Sequence, residues 1–377
     1  MSTHDIIPSM SNVSCGIVGL PNVGKSTLFN ALLKKQQALA ANYPFATIEP
    51  NVGVVPVPDF RLDKLAEVTK EEEKMDRLPP IKPATVDFTD IAGLVKGASE
   101  GAGLGNKFLS HIREVNVIAH VVRAFEDPDV IREGSVSPKD DYMTIQTELI
   151  LADISTLERV RDGKAFKAEP VKAAAVTKLL AALNTDKRAF DVSLTDEERA
   201  SIQDLFLLTN KPEMIVLNVD EDKYNESSMS EIAKVYSELL GLPVDRFVVI
   251  CAKIESELAG LTEDEQKEYL GDLGLSTSGL ERLIQKAYER LGLISFLTAG
   301  EKEVKAWTIR KGSNSVEAAG AIHTDFMKKF IKAEVVSFED YVVTGGRKKA
   351  REVGKARLEG KDYIVQDGDV IEFKIGA

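Results

Sequence analysis

The sequence has little cysteine and no long apolar run. Cys15 and Cys251 are its only cysteines, which excludes a disulfide framework and a cysteine-rich metal site. No run approaches the roughly 18 apolar residues that a membrane-spanning helix needs. Residues 1–12 also lack the basic start and apolar centre of a secretory signal. We therefore expect a cytoplasmic protein that does not enter the membrane.

The net charge of −12 is acidic, so most of the surface should repel nucleic acid. Basic residues nevertheless gather near the C-terminus, in Gly346–Arg351 and at Lys355, Arg357 and Lys361. This basic cluster, Arg347–Lys361, is consistent with a solvated face, and equally with contact to an RNA phosphate backbone.

The stretch Gly19–Thr27 carries the clearest chemical signal. It lies between an apolar run typical of a strand, Cys15–Val18, and a helix-like run, Leu28–Leu33. This context is the one that a phosphate-binding loop requires, and it makes a chance glycine-rich turn a poor alternative. In such a loop backbone N–H groups surround phosphate oxygens, Lys25 reaches the β- and γ-phosphates, and the Ser26 hydroxyl binds magnesium. The stretch predicts nucleoside triphosphate binding.

Two loops downstream supply candidates for magnesium and γ-phosphate contacts. Thr47 lies in a proline-flanked loop after the first helix, where a threonine provides a second magnesium ligand. Asp90 and Gly93 form an Asp-x-x-Gly sequence at the end of a strand, so Asp90 would hold magnesium and the Gly93 N–H would face the γ-phosphate. The glycine-rich segment 97–106 that follows is typical of a mobile switch.

The residue after Gly93 is Leu94, where Ras-like enzymes have the glutamine that orients the attacking water. Leucine has no group for this task, so hydrolysis is slow or another group positions the water. The candidates within the chain are Asn22, His111, His120 and Arg132. His120 lies in an apolar run, and a buried core histidine is the simpler interpretation there.

The base specificity is predicted from the end of the strand Met214–Leu217. GTPases have Asn-Lys-x-Asp at this position, whereas this chain has Asn218–Glu221, with Val219 and Glu221 replacing the lysine and the aspartate. Loss of the bidentate carboxylate contact to guanine costs on the order of 1–3 kcal/mol of preference, which favours ATP over GTP. Asn210–Glu213 resembles the GTPase motif more closely, but it precedes the strand and would lie at the wrong end of the sheet.

A further strand, Arg246–Ile250, leads to Cys251–Glu255, where such folds pass backbone N–H groups beside the base. We expect Cys251 to be a small buried residue and not a nucleophile.

The remaining pattern predicts the domain organisation. We predict that residues 1–11 form a flexible extension and that residues 12–291 form the nucleotide-binding domain. Helical periodicity over 140–208 predicts an antiparallel helical hairpin inserted in that domain. Alternating runs and the single tryptophan, Trp307, indicate a small α+β domain over 292–377.

With these motifs in place, the chain resembles the YchF or Obg-like ATPases along nearly its whole length. The matching segments are Gly19–Thr27, Pro44–Asn51, Asp90–Ala98, the Asn-x-x-Glu base motif at 218–221, Gly320–Phe326 and Glu359–Asp369. The resemblance implies an Obg-type doubly wound α/β P-loop domain, a helical (coiled-coil) insertion and a C-terminal TGS domain of the ubiquitin-like β-grasp type. It also implies ATP hydrolysis with Mg²⁺, association with the ribosome or its large subunit, and a hydrophobic residue in place of the catalytic glutamine.

The resemblance also assigns roles to residues. It implies magnesium ligands at Ser26 and Thr47. The Asp-x-x-Gly sequence adds Asp90 at the magnesium, and we expect Lys25, Gly93 and Arg132 to form the catalytic environment. Family members commonly have a histidine in the loop where this chain has Arg132, which would stabilise transition-state charge but cannot act as a base. The resemblance implies phosphate contacts at Asn22, Val23, Gly24, Lys25, Ser26 and Thr27 and contact of Val219 with adenine. The base motif adds Asn218 and Glu221 as expected contacts at the base.

The sequence thus predicts a magnesium-dependent ATPase of the translation-factor class. Two alternatives stay open at this point. One is a GTPase or an NTPase without base preference, and the other is a nucleotide-gated binding adaptor with negligible turnover.

Overall fold

The structure is a computed structural model that describes residues 13–42, 51–91, 103–126, 137–163 and 166–376. Within these ranges the chain forms twelve strands, listed here in order. They are β1 Ser14–Val18, β2 Val52–Pro56, β3 Ile81–Lys82, β4 Thr85–Asp90, β5 Val117–Arg123, β6 Glu213–Asn218, β7 Phe247–Ile250, β8 Leu293–Ala299, β9 Val304–Arg310, β10 Phe330–Ser337, β11 Arg357–Glu359 and β12 Asp369–Ile375.

The described residues also form fourteen α-helices. They are α1 Lys25–Asn42, α2 Arg61–Glu72, α3 Gly103–Glu114, α4 Pro138–Arg161, α5 Pro170–Leu183, α6 Asp196–Ser201, α7 Glu226–Leu240, α8 Ala252–Leu258, α9 Glu263–Asp272, α10 Gly279–Arg290, α11 Ser315–Ile322, α12 Thr324–Lys328, α13 Phe338–Thr344 and α14 Arg347–Glu352.

The larger of two compact units comprises Ser14–Val55 and Asp87–Ala287. Its six-stranded sheet has the order β2-β4-β1-β5-β6-β7, and β4, β1, β5, β6 and β7 are parallel. Both β5 and β6 are buried along their whole length, as expected for parallel strands covered on both faces. The strand order reverses direction at β1. A ligand site is therefore expected beyond the carboxyl end of that strand.

Helices α4 and α5 form a separate apolar cluster within this unit. Ser137 caps the first turn of α4, and Pro138 occupies a position where a missing N–H costs nothing. Leu157 of α4 and Val176 and Leu179 of α5 are fully buried in the shared cluster. The helical periodicity found over 140–208 is therefore confirmed by α4 and α5, and their apolar faces serve internal packing.

The smaller unit combines residues 56–86 with 288–376. Its six-stranded sheet has the order β11-β10-β12-β8-β9-β3, and its core includes Phe296, Val335 and Ile371. The sequence had placed residues 56–86 in the nucleotide-binding domain. The structure differs because β3 pairs with β9 and Arg61 binds Asp367, contacts that link positions far apart in the chain.

Across the described ranges, no helix combines the length and apolar character that a bilayer crossing needs.

Candidate nucleotide-binding site

The segment between β1 and α1 is a tight backbone turn. Asn22 and Gly24 have φ angles of 61° and 98°, in the left-handed region that glycine tolerates best. A side chain at Gly24 would meet the amide of Asn218, so close packing requires glycine there. The first turn of α1 follows at once, and its backbone N–H groups provide a favourable position for an anion.

Lys25 is the buried cation of this turn, with a relative exposure of 9%. Its ammonium group donates to the carbonyl oxygen of Leu20 at 2.7 Å. Burial lowers the pKa of Lys25, and the charge of Asp90 partly opposes that shift. Burial in turn raises the pKa of Asp90, and Lys25 opposes it. The end of β4 and the start of α1 therefore place opposite charges close together.

Asn218 connects the turn to the neighbouring strands. Its side chain donates to the carbonyl oxygen of Val23 at 3.0 Å and accepts from the N–H of Ala252 at 2.9 Å. The backbone N–H of Val219 donates to Ile250 at 2.8 Å. The end of β6 is thus fixed against both the phosphate turn and the start of α8.

These elements surround a cavity of about 510 Å³, within the range of small-molecule sites. It lies beyond the carboxyl ends of β1, β5, β6 and β7, and it brings together most of the predicted nucleotide contacts. The lining residues are Asn22, Gly24, Lys25, Ser26, Thr27, Phe125, Glu126, Asn218, Val219, Asp220, Glu221, Cys251, Ala252 and Lys253.

Phe125 and Glu126 line the cavity although the sequence assigned them no role. Asp220 and Lys253 also line it, within the two segments that the sequence placed at the base but without a predicted side-chain role. Phe125 follows β5, and the guanidinium of Arg123 lies 4.5 Å from its ring centroid. The rule that parallel strands present ligands at their carboxyl ends would have found Phe125 and Glu126 once β5 was placed beside β6.

The far end of the cavity contains the residues that replace the GTPase base motif. Val219 is 2% exposed, whereas Glu221 lies at the surface and forms an ion pair with Lys253. Cys251 is also 2% exposed, and burial raises the pKa of its thiol. It is a packing residue and not a nucleophile, as expected.

Several predicted residues fall elsewhere. Thr47, Gly93, Leu94 and Arg132 lie outside the described residues, so their roles stay predictions. Asp90 and Val23 do not line the cavity. Each acts on a residue that does, since the charge of Asp90 raises the pKa of Lys25 and the carbonyl oxygen of Val23 accepts from Asn218.

Two of the water-positioning candidates do not line the cavity. His111 is exposed on α3 and does not line it. His120 is fully buried, with Nδ1 3.3 Å from Glu213 and its ring stacked on Tyr142. This confirms the core interpretation of His120.

The segment Asn210–Glu213, which resembles the GTPase motif, lies at the amino end of β6. Lys211 donates to the backbone oxygens of Arg113 and Val115 there. The rejection of this segment as a base-binding motif is therefore confirmed.

The basic cluster Arg347–Lys361 is largely neutralised by ion pairs within the smaller unit. The pairs are Arg347 with Glu372, Lys348 with Glu73, Arg351 with Glu334, Lys355 with Asp340 and Arg357 with Glu359, all at 2.7–3.2 Å. Among the described residues, Lys349 and Lys361 have no such ion pair. Most of this cluster is thus engaged in internal contacts.

A glycine turn between the first strand and first helix of a parallel sheet, beside a polar cavity at the strand ends, defines a P-loop nucleoside triphosphatase. Family models agree with this class. One described as a 50S ribosome-binding GTPase matches residues 14–161, and the YchF GTPase C-terminal model, described as a protein of unknown function, matches 293–376.

Relatives match over nearly the whole chain. The ribosome-binding ATPase YchF of Bacillus subtilis is 49% identical over 370 residues, which cover 96% of this chain and 99% of that protein. The protein of the same name from Escherichia coli O157:H7 is 48% identical and covers 95% and 98%. The solved YchF GTPase of Schizosaccharomyces pombe has a TM-score of 0.82 at 37% identity, covering 96% and 98%. The chain belongs to the YchF family, which confirms the resemblance and the α/β fold class with its second, C-terminal domain.

Proposed function

We propose that this protein is an ATPase that associates with the ribosome. The observation that carries the proposal is one cavity that combines a phosphate turn, Asn22–Thr27, with a base end that lacks the lysine and aspartate of GTPases. The curated relatives are named ribosome-binding ATPases, which supports both parts of the proposal.

The phosphate half of the cavity suits a polyanion. Burial disfavours the charged form of Lys25 and lowers its pKa. A triphosphate would favour the charged form and accept hydrogen bonds from the turn and the first turn of α1. Binding energy at this end therefore comes from charge neutralisation.

The residues present also fit a magnesium ion. Ser26 lines the cavity in the first turn of α1, and Asp90 is near enough to Lys25 to influence its charge. In the part of the chain that the structure describes, no group of three or more acidic, histidine or cysteine side chains could hold a metal alone. That agrees with Mg²⁺, which is usually held by one or two protein groups together with substrate phosphates. When bound, Mg²⁺ would neutralise charge on the β- and γ-phosphates.

The chain's own contribution to hydrolysis is positioning. Lys25 and the turn hold the γ-phosphate for in-line attack by water, and Ser26 and Thr47 are the proposed metal ligands with Asp90. Gly93 would donate its N–H to the γ-phosphate, and Arg132 would stabilise developing charge. Leu94 offers no group to orient the water, so turnover by the isolated protein is expected to be slow.

The base end of the cavity favours adenine because it lacks the hydrogen-bonding groups by which GTPases recognise guanine. Val219 presents an apolar side chain where GTPases have lysine, and Glu221 replaces their aspartate. Without that aspartate, guanine would lose the bidentate contact to its N1–H and N2–H₂ groups, a loss on the order of 1–3 kcal/mol.

Titration of the purified protein with ATP and GTP, with Mg²⁺ present, tests the nucleotide assignment. We expect tighter binding of ATP, and tighter binding of GTP would establish the GTPase alternative. Lys25→Ala should abolish hydrolysis while the far-UV circular dichroism is unchanged. Lys107→Ala removes an exposed lysine of α3 outside the cavity and should leave turnover unaltered.

Single-turnover hydrolysis measured with and without ribosomes, or large ribosomal subunits, tests the ribosome assignment. We expect ribosomes to accelerate hydrolysis, in keeping with a cytoplasmic site of action. Absence of hydrolysis under all conditions, with ATP-dependent ribosome binding retained, would instead establish the adaptor alternative.

The basic cluster offers only Lys349 and Lys361 as unpaired cations for an RNA backbone. If this face contacts ribosomal RNA, the double variant Lys349→Ala/Lys361→Ala should weaken ribosome binding and reduce its salt dependence. A matched variant, Lys107→Ala/Lys267→Ala, removes the same charge from the larger unit. An equal effect of both double variants would assign the change to net charge and exclude this face as the contact.

A further inference from the structure

Two segments form the base end of the cavity, residues 219–224 after β6 and residues 251–255 at the start of α8. A buried hydrogen bond joins them, from the hydroxyl of Tyr224 to Oε1 of Glu255 at 2.5 Å. Tyr224 and Glu255 have relative exposures of 1% and 0%. The two segments are therefore connected in the core of the unit.

Glu255 is itself held in place by the start of α10. Its carboxylate accepts from the backbone N–H groups of Gly279 at 2.7 Å and Leu280 at 3.1 Å. A side chain at Gly279 would meet both Tyr224 and Glu255, so this junction has no room for a larger residue there. This buried network joins the two segments beneath the surface of the cavity.

A second pair joins the same segments at the surface of the cavity. The ammonium of Lys253 contacts Oε1 of Glu221, and both residues line the cavity. Their side chains are 69% and 51% exposed, and the hydrogen bond to Glu221 raises the pKa of Lys253. A surface pair of this kind adds little to stability. Because both side chains line the cavity, they are in a position to contact a ligand bound there.

The pair changes what the carboxylate can recognise. A carboxylate reads guanine by accepting from two N–H groups with its two oxygens, and one oxygen of Glu221 is already engaged by Lys253. The ammonium also repels the positive edges of the guanine N–H donors. Adenine has only one N–H donor group on that edge and an acceptor beside it, so it loses less.

We infer that Lys253 is a specificity-determining residue, which disfavours guanine by pairing with Glu221 while the buried Tyr224–Glu255 bond holds the two segments in register. This inference rests on the proposed ATP function. It goes beyond it because it assigns discrimination against guanine to a cation on a separate element, in addition to the replaced aspartate.

Isothermal titration of Lys253→Met with ATP, GTP and inorganic tripolyphosphate tests the inference. We expect the ratio of the GTP Kd to the ATP Kd to fall at least about fivefold, mainly through tighter GTP binding, with the tripolyphosphate Kd unchanged. Lys253→Arg keeps the charge and should keep the wild-type ratio. Lys267→Met, which removes an exposed cation of α9 outside the cavity, should also leave it unchanged.

The double variant Lys253→Met/Glu221→Gln identifies the partner. Because this variant has no carboxylate at position 221, loss of the lysine cannot free one for guanine. It should therefore not show the gain in GTP affinity expected for Lys253→Met. An unchanged ratio in Lys253→Met, an equal weakening of all three ligands, or a gain that persists in the double variant would each overturn the inference. A wild-type protein that does not bind ATP, or binds GTP more tightly, refutes the proposed function itself, and this is seen before any variant is measured.

Discussion

Two glutamates near opposite ends of β6 have contrasting surroundings. Glu213 begins the strand, is 2% exposed, and accepts from four side chains at 2.5–3.3 Å, those of His120, Tyr142, Gln146 and Arg188. Glu221 follows the strand by three residues, is exposed, and its carboxylate pairs with Lys253.

The difference shows how one parallel sheet separates stability from recognition. At the amino end, a buried charge is retained because four donors and the charge of Arg188 compensate for its desolvation. At the carboxyl end, Glu221 remains beside solvent and is available to discriminate between ligands. Substitutions at the first end should therefore alter unfolding, and those at the second should alter nucleotide choice.

The largest expected effect tests this separation directly. Glu213→Ala leaves Arg188 buried without its partner, so the free energy of unfolding should fall by about 3–5 kcal/mol. Glu221→Ala, which removes an exposed pair, should lower it by about 1 kcal/mol or less. Urea denaturation of the two variants measures both values. Equal losses of unfolding free energy would contradict the separation of stability from recognition along β6.

Asn218 lies between the two extremes, at the carboxyl end of the strand but buried. Asn218→Ala leaves the carbonyl of Val23 and the N–H of Ala252 without their partner, at a cost of about 1–3 kcal/mol in unfolding free energy. Because the same bonds join the phosphate turn to the base end, the affinity for ATP should also fall. Retention of wild-type ATP affinity would show that this link is only structural.

Two tyrosines provide a matched pair, because each donates its hydroxyl to a buried glutamate. Tyr142 binds Glu213 and Tyr224 binds Glu255. Tyr142→Phe and Tyr224→Phe should each lower the unfolding free energy by roughly 1–3 kcal/mol. Only Tyr224→Phe should weaken ATP relative to inorganic tripolyphosphate, as calorimetric titration of both ligands would reveal. The same nucleotide effect in Tyr142→Phe would remove the distinction between the two ends.

The smallest expected effect is a dependence of stability on pH. Burial alone raises the pKa of Glu213, but the charge of Arg188 and the hydrogen bonds from His120 and Tyr142 outweigh it and lower the pKa below the ordinary 4.5. The ionised form therefore stabilises the fold above about pH 4.5, and this contribution is lost as the pH falls through the lowered pKa. The difference in unfolding free energy between wild type and Glu213→Gln should narrow below pH 4.5. A difference that stays constant from pH 7 to pH 3 would contradict this account.

Local sequence was sufficient for the phosphate turn, because the strand, the glycine turn and the helix are adjacent in the chain and each has its own pattern. It also sufficed to identify His120 as a core residue and to reject Asn210–Glu213 as a base motif. It did not reveal Phe125 and Glu126 as cavity residues or the pairing of Lys253 with Glu221, since these depend on which strands are neighbours. The basic cluster looked available for RNA because sequence alone does not show which acidic side chains fold beside it, and one of them, Glu73, lies far away in the chain.

The sequence by itself determined the class of chemistry and the family, since short contiguous motifs encode the backbone shape that holds phosphate. Tertiary structure alone decided which charges are available for binding. An ionic side chain is free or neutralised according to what folding places beside it, and folding pairs Glu221 with Lys253 and residues 56–86 with the C-terminal sheet. Those partners are set by packing across the fold, which no local pattern in the chain records.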